Sequence, residues 1–409
     1  MAQASRSEIT VLGAGVAGLS VAIALARAGH TVTVLERAEE IREVGAGLQI
    51  SPNGMRVLTA LGLDPDAQDR AMLSQAVVLR DHFEGTEIAR LKLPQDPGTR
   101  LMHRADLIDM LADGARAVGV QLRLLQQIDS VEIEGDGTPQ LRLVTGGVLR
   151  PDILIGADGL HSPTRRAILG SRAEKPKFTG QVAWRALLPG RADDPVEASV
   201  YMGPHRHLVS YPLRGGALRN IVAVEERTGW TEEGWHHSDD PTRMQRAFSG
   251  FAPEVRGWLG EAREVFLWGL FQHEVPDLWH RGRAVMMGDA VHPTLPFLAQ
   301  GANMALEDAW VLAQCLDAHA APEAAFAAYQ AARIKRVREV VAAANANAWV
   351  YHLPAGITRS VVHTGLRLGN RFAPDMALKR FDWVYDEDVT RSWAAGPSRY
   401  ASSSTHIGT

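Results

Sequence analysis

One local pattern near the N-terminus constrains the fold more than any other. Residues 8–12 (Glu-Ile-Thr-Val-Leu) read as a buried strand, and Gly13-x-Gly15-x-x-Gly18 as a tight turn. Residues 16–28 are an Ala/Leu-rich helix with Gly29 as its C-cap, and residues 31–35 a β-branched strand ending at Glu36. Glycine spacing alone recurs by chance. A strand before, a helix after and an acid 18 residues past the last glycine complete a βαβ unit. The first glycine lets the chain turn sharply, and the second lets backbone N–H groups approach a pyrophosphate. The helix N-terminus adds its positive end. Gly13, Gly15, Val16, Ala17 and Gly18 are therefore the expected phosphate-side residues. Glu36 is placed to accept hydrogen bonds from both adenosine ribose hydroxyls and would repel a 2′-phosphate. The expected nucleotide is FAD or NAD, not NADP.

A chain of 409 residues has material for a large core, and 46% hydrophobic with 22% charged residues is ordinary for a globular protein. A net charge of −4 gives no electrostatic case for nucleic acid or an anionic membrane. A single cysteine, Cys315, leaves no internal disulfide or Cys-rich metal site, and its apolar neighbours predict a buried core thiol. No metal is expected. There is no signal-peptide pattern, and the longest apolar windows are too short to span a bilayer, so a cytoplasmic location is expected.

Further along, Ser51-Pro52 is read as an N-cap and first turn of a helix running to residue 61. Strands are expected at 76–93 and 120–150, a helix at 104–118, and a buried strand running into Gly156-Ala157-Asp158-Gly159. From 176 to 275 the texture becomes β-rich, with a helical insert at about 241–260. Residues 284–287 return the chain to the nucleotide domain. The expected organisation is a first part of the nucleotide-binding domain at 1–175, with the strands near 76–93 lent to the substrate layer. A β-rich substrate domain at 176–275 follows, then the second part of the nucleotide-binding domain at 276–350. A C-terminal helical region at 351–400 and a disordered tail at 401–409 complete the chain.

A late segment carries the second strong signal: Gly288-Asp289-Ala290-Val291-His292-Pro293, followed by Pro296 and then Gln300-Gly301-Ala302-Asn303 at a helix start. Together with the N-terminal fingerprint, Asp158-Gly159 and Arg104 in His-Arg-Ala-Asp-Leu, this segment resembles the class A FAD-dependent aromatic hydroxylases. Within them it is similar to the salicylate hydroxylase, 3-hydroxybenzoate 6-hydroxylase and 6-hydroxynicotinate 3-monooxygenase group. The resemblance runs from Ile9 to about Asp388. It implies an α/β architecture: a Rossmann-like FAD domain of the GR2-type hydroxylase fold, a β-sheet substrate domain and C-terminal helices.

The resemblance also implies roles. Asp289 would bind the ribityl chain, and Arg104 the pyrophosphate or ribityl region. Gly301, Ala302 and Asn303 would offer N–H groups to the flavin N1–C2=O edge, where a helix dipole stabilises negative charge. Arg37 would cover the adenine, and Gly47 and Leu48 would lie along the cofactor. Asp158 would serve nicotinamide–flavin interplay; capping the helix that opens at Ser162-Pro163 is the competing explanation. His292 is read as structural.

On the substrate side, His207, Val209 and Tyr211 share one face of a strand by period two. A neutral His207 suits removal of a phenolic proton, with Tyr211 as a hydrogen-bonding partner. The resembled group has the same His-x-x-x-Tyr spacing. Gln300, Gln49 and Pro296 are expected beside the substrate; Gln49 stands where some relatives have His, a departure from the 6-hydroxynicotinate pattern. A carboxylate would need Arg185 or Arg206, between which the sequence does not choose.

The reaction implied is hydroxylation of a phenolic or hydroxylated aromatic carboxylate by NADH and O2 through a C4a-hydroperoxyflavin, with decarboxylation where the carboxyl sits at the attacked carbon. NADH rather than NADPH follows from the group resemblance, since Glu36 selects only the FAD adenosine. A hydroxylase of urate, phenazine or antibiotic type, a non-catalytic flavin-binding protein and an NAD-dependent dehydrogenase remain alternatives. The Ala-rich C-terminal helices fit a monomer or a homodimer.

Overall fold

A computed structural model describes residues 7–41, 46–229, 237–372 and 379–394. The expected tail at 401–409 lies outside the described residues. The N-terminal βαβ unit forms the centre of a six-stranded sheet. Its order is His280–Arg281, Ala284–Met286, Ile153–Gly156, Glu8–Leu12, Thr31–Leu35 and Gln121–Arg123. All neighbours are parallel except the first pair. The parallel centre is buried on both faces, which is why its strands are runs of Val, Ile and Leu. The helices Val16–Arg27, Arg104–Ala117 and Gly301–Ala318 pack into the main core around this sheet.

A second sheet has eight strands in the order His237–Asp239, Val265–Gln272, Lys177–Pro189, Leu218–Glu226, Arg206–Leu213, Glu197–Gly203, Ala76–Asp81 and Glu87–Lys92. The last two strands come from the first half of the chain, and Ala76–Asp81 joins Glu197–Gly203 in parallel register. One face of this sheet packs Trp184, Tyr201, Leu208 and Ile221 against the helices Pro241–Ala247 and Pro253–Glu261. The opposite face meets Leu295, Phe297, Tyr351 and the long helix Pro322–Tyr351.

A small sheet of Gly47–Ile50, Arg100–His103 and Ala71–Leu73 fits between the two layers. Sequence periodicity misses it, because each strand is short and its partners lie far away in sequence. Ser51 begins the helix Pro52–Ala60 as expected but does not cap it; its hydroxyl is drawn instead to Asn53 Oδ1 at 2.6 Å. No helix among the described residues is long and apolar enough to cross a membrane.

Candidate active site between the two sheets

Gly13 and Gly18 bring the N-terminal strand tightly onto its helix. A Cβ on Gly13 would stand 2.5 Å from the Ala157 carbonyl oxygen, whereas one on Gly15 would meet nothing within 4 Å. Open space therefore lies at the start of the helix Val16–Arg27, whose N-terminus has no side-chain cap. Such an end is suited to a phosphate. Glu36 accepts from Ala14 N at 2.8 Å and from Ala38 N at 3.0 Å, so its carboxylate holds the glycine turn at the strand end. Arg37 beside it is exposed.

The late segment meets this turn directly. Gly288 has φ 59°, and a Cβ there would approach the Ala17 methyl to 2.9 Å, so glycine is required on both counts. Asp289 is open to solvent although protein surrounds it on most sides, which places it on the wall of a deep cleft. Burial raises its carboxyl above the ordinary range, against the pull of His292 and Arg104. Arg104, Arg185 and Asp158 share this setting, each enclosed by protein yet partly accessible. Burial presses the Arg104 guanidinium down, and Asp289 opposes it.

The helix Gly301–Ala318 starts without a side-chain cap, leaving the Gly301, Ala302 and Asn303 N–H groups free of one. The Asn303 side chain has another task. Its Oδ1 accepts from Ser51 N at 3.0 Å and its Nδ2 donates to the Gln49 and Ala299 carbonyls at 3.0 and 2.7 Å, tying this helix start to the small sheet.

Asp158 Oδ2 accepts from Thr164 N at 3.0 Å while Ser162 Oγ accepts from Arg165 N at 2.7 Å, so the capping explanation accounts for one Asp158 oxygen. The other, Oδ1, is buried without a hydrogen-bond partner. An open glycine cradle, two uncapped helix starts, Asp289 and Arg104 beside them, and an orphaned Asp158 oxygen fit the phosphates and polar groups of FAD.

His292 is fully buried, with Nε2 at 2.6 Å from Asp308 Oδ2. Asp308 also accepts from Gly288 N at 3.1 Å and from Arg333 Nε at 2.8 Å. Arg333 and Arg336 pair with Glu307 at 2.6 and 2.7 Å. This network fastens the Gly288 turn to the helix behind it, a structural task for His292. Gln300 departs from the expected substrate contact. Its side chain is buried, donating to Ser51 Oγ at 3.0 Å and accepting from Asn53 Nδ2 at 3.1 Å, so its amide is committed to packing the helix start. Pro296 opens a short turn and is exposed, while the adjacent Phe297 is buried.

His207, Val209 and Tyr211 lie on the face of the eight-stranded sheet that looks toward this turn. The His207 ring centroid is 5.0 Å from that of Phe297. Tyr211 lies against Gly47: a Cβ there would be 2.5 Å from Tyr211 Cε2 and 2.8 Å from its hydroxyl. Gln49, two residues on, projects from the same side of its strand, whereas Leu48 packs on the nucleotide-domain core.

Two further residues share the site face. Arg185, in register with Val222 and hence with Val209, stacks over the Trp268 ring at 3.7 Å. Arg206 has the opposite parity and is spent on Glu225 at 3.0 Å and on the Ala247 carbonyl. Asn220 sits opposite Tyr211, fully buried. Its Oδ1 accepts from Gly47 N at 2.7 Å, which fixes the amide orientation and leaves Nδ2 buried without a partner. Sequence reading missed Asn220; a polar residue at period two among Val222 and Val224 was the available signal.

Comparison with known proteins agrees with this geometry. The family model described as FAD binding domain matches residues 6–344. The chain is 35% identical over 398 residues to a 3-amino-4-hydroxybenzoate 2-monooxygenase of Streptomyces platensis, covering 93% of this chain and 96% of that one. It is 32% identical to a 3-hydroxybenzoate 6-hydroxylase of Polaromonas naphthalenivorans over the same shares, and 31% identical to a 6-hydroxynicotinate 3-monooxygenase of Bordetella bronchiseptica over 84% and 92%. In fold it is similar to a salicylate hydroxylase substrate complex (TM-score 0.79, 22% identity, 99% and 100% covered). It is also similar to Klebsiella pneumoniae HpxO complexed with FAD and uric acid (TM-score 0.78, 24% identity, 90% and 95% covered). With most of its length matched by the family model and by relatives above 30% identity, the chain belongs to the class A FAD-dependent aromatic hydroxylases and is a flavin-dependent aromatic monooxygenase.

Proposed function

We propose that the protein hydroxylates a phenolic benzoate, with NADH as reductant and O2 as oxidant, and that an aminohydroxybenzoate is the first candidate substrate. The observation that carries this reading is the wall formed by His207, Tyr211, Arg185 and Asn220. It has His207 beside Val224 at one end and Tyr211 beside Asn220 at the other, with Arg185, Val222 and Val209 in register between them. Four residues of strand separate His207 and Tyr211 by about 13 Å. That span accommodates a benzene ring with a polar group at each end and a hydrogen bond of roughly 2.8 Å at each.

In this arrangement His207 takes the phenolic proton, making the ring electron-rich at its ortho and para carbons. Tyr211 Oη, Asn220 Nδ2 and the Arg185 cation bind the carboxylate. The valines exclude water from the ring face. Gly13 to Gly18, Glu36, Arg104, Asp289 and the Gly301–Asn303 amides would hold FAD, which when bound would supply the reduction of O2 at the expense of the nicotinamide and the oxygen atom that enters the ring. Hydroxylation at the carboxyl-bearing carbon would release CO2.

The test is substrate-stimulated NADH oxidation with product identification on 3-amino-4-hydroxybenzoate, 3-hydroxybenzoate, 6-hydroxynicotinate, salicylate and urate. Coupled turnover is expected for a hydroxybenzoate, with kcat/KM for NADH exceeding that for NADPH. Turnover of urate alone would overturn the substrate class, and equal use of both nucleotides would overturn the choice of reductant.

A further inference from the structure

A chain of titratable side chains leads from the substrate wall to the surface. His207 Nδ1 lies 2.6 Å from His352 Nε2, and both rings are buried. His352 Nδ1 is 2.9 Å from Glu226 Oε1, and Glu226 Oε2 is 2.7 Å from His205 Nδ1. Glu226 and His205 are exposed. The four groups come from three elements. His205 and His207 flank the start of one strand, Glu226 ends its neighbour, and His352 closes the helix Pro322–Tyr351. Backbone bonds from His205 N to His352 O (3.1 Å) and from Glu226 N to His205 O (2.9 Å) hold them together. His205 adopts φ 58°, a left-handed conformation costly for a non-glycine residue, which those bonds help to hold.

The geometry dictates where the protons sit. An ionised carboxylate only accepts, so His352 donates to Glu226 from Nδ1. Its Nε2 is then an acceptor, so His207 donates to it from Nδ1. That leaves His207 Nε2 with a free lone pair, the form a base requires. Burial opposes ionisation of Glu226, but hydrogen bonds from His205 and His352 hold its carboxyl below the ordinary range. Burial, and then His352, hold the His207 imidazolium well below its ordinary range. Arg206 and His205 also face His352 as like charges, against Glu226. His207 can therefore accept a proton but cannot keep one cheaply in this apolar setting, so it needs an onward acceptor.

We propose that His352 and Glu226 are positioning residues that set the His207 tautomer and relay the phenolic proton to solvent. The step rests on the reading of His207 as the base. The phenol O–H bond breaks and an N–H bond forms at His207 Nε2. The His207 Nδ1 proton passes to His352 Nε2, the His352 Nδ1 proton passes to Glu226 Oε1, and Glu226 releases a proton to water. When the hydroxylated ring recovers its aromaticity and takes a proton back, the same path runs in reverse and restores every tautomer.

The test uses FAD-loaded protein labelled with 15N-histidine, with resonances assigned through single variants. At pH 7 the His207 signals are expected to show Nδ1 protonated and Nε2 bare, and Glu226→Leu is expected to redistribute them. A His207 protonated on Nε2, or a pattern unchanged in Glu226→Leu, would overturn the proposal without any substrate. In turnover with 3-amino-4-hydroxybenzoate and 3-hydroxybenzoate, His352→Ala is expected to lose roughly tenfold or more in kcat. Added imidazole should recover part of that loss, with FAD affinity unchanged. If His207→Ala abolishes hydroxylation while His352→Ala and Glu226→Leu run at the wild-type rate, the relay fails and the base assignment stands. If all three run at the wild-type rate, both fail.

Discussion

The Asn220 side-chain amide accepts the Gly47 backbone N–H at 2.7 Å, and through this bond the eight-stranded sheet grips the small sheet that borders the cofactor cleft. Tyr211 closes over the same glycine, so the strand Gly47–Ile50 is held between a hydrogen bond and a phenol ring.

Asn220→Ala removes the acceptor of the half-buried Gly47 N–H, which costs on the order of 1 kcal/mol. Thermal unfolding of the FAD-bound protein should show the loss. Asn220→Asp keeps the acceptor and should retain more of the stability, but its added negative charge opposes an aromatic carboxylate and should raise KM. Gly47→Ala should displace Tyr211, lowering hydroxylation while the protein remains yellow. An unaltered KM in both Asn220 variants would remove Asn220 from the substrate wall.

His207→Ala and Tyr211→Phe are expected to keep FAD bound while losing hydroxylation, roughly a hundredfold or more for the base and less for the phenol. NADH oxidation should continue in part, so product formed per NADH consumed is the measurement that separates loss of chemistry from loss of reduction. Wild-type coupling in both variants would reject the pair.

The buried network behind the Gly288 turn makes a prediction about acid stability. Burial pushes the Asp308 carboxyl upward, but His292 and Arg333 together hold it at about 2. Its folded value lies below its unfolded value near 3.8. Its stabilisation is therefore fully present above that unfolded value and is lost as pH falls toward 2. Asp308→Asn removes the charge that Arg333 faces at 2.8 Å and should destabilise by about 3–5 kcal/mol. Urea midpoints between pH 5 and 2.5 should fall more steeply for wild type than for the variant.

These elements differ in how far the sequence discloses them. The βαβ unit is legible because strand, turn, helix and acid are contiguous, and each constrains the next. The placement of His207 and Tyr211 on one face is legible because a strand alternates strictly. Asn220, His352 and the Asn303 side chain are not, because their partners at Gly47, His207 and Ser51 are 173, 145 and 252 residues away. No local periodicity records such pairs; they exist only once two sheets have packed. Gln300 shows the converse, a residue in a recognisable motif whose side chain is claimed by Ser51 and Asn53.

Cys315 is fully buried in the helix Gly301–Ala318, and burial lifts its thiol to about 12. The thiolate is the reactive form, so a disulfide-exchange reagent at pH 8 should leave the folded protein unlabelled and react with one thiol on unfolding. Prompt labelling without loss of secondary structure would show that this helix opens locally.

The last prediction separates two arginines that the sequence alone leaves equivalent. Arg185 stands on the cleft face, over Trp268, with burial and then the charge of Arg104 pressing its guanidinium down to about 9. At neutral pH it stays a cation in surroundings that disfavour one, and an aromatic carboxylate would relieve that cost. Arg206 is turned to the other face and already pairs with Glu225. Arg185→Met should raise KM for hydroxybenzoates by roughly ten- to a hundredfold, the range for losing a charge-assisted hydrogen bond of about 1.5–3 kcal/mol. Neutral phenols of the same ring should be far less affected. Arg206→Met should leave the ratio between carboxylate and neutral phenol unchanged, whatever it does to stability. Equal losses for both ligand types in Arg185→Met would mean that Arg185 shapes the wall without reading the carboxylate, and that the anion is held by Tyr211 and Asn220 instead.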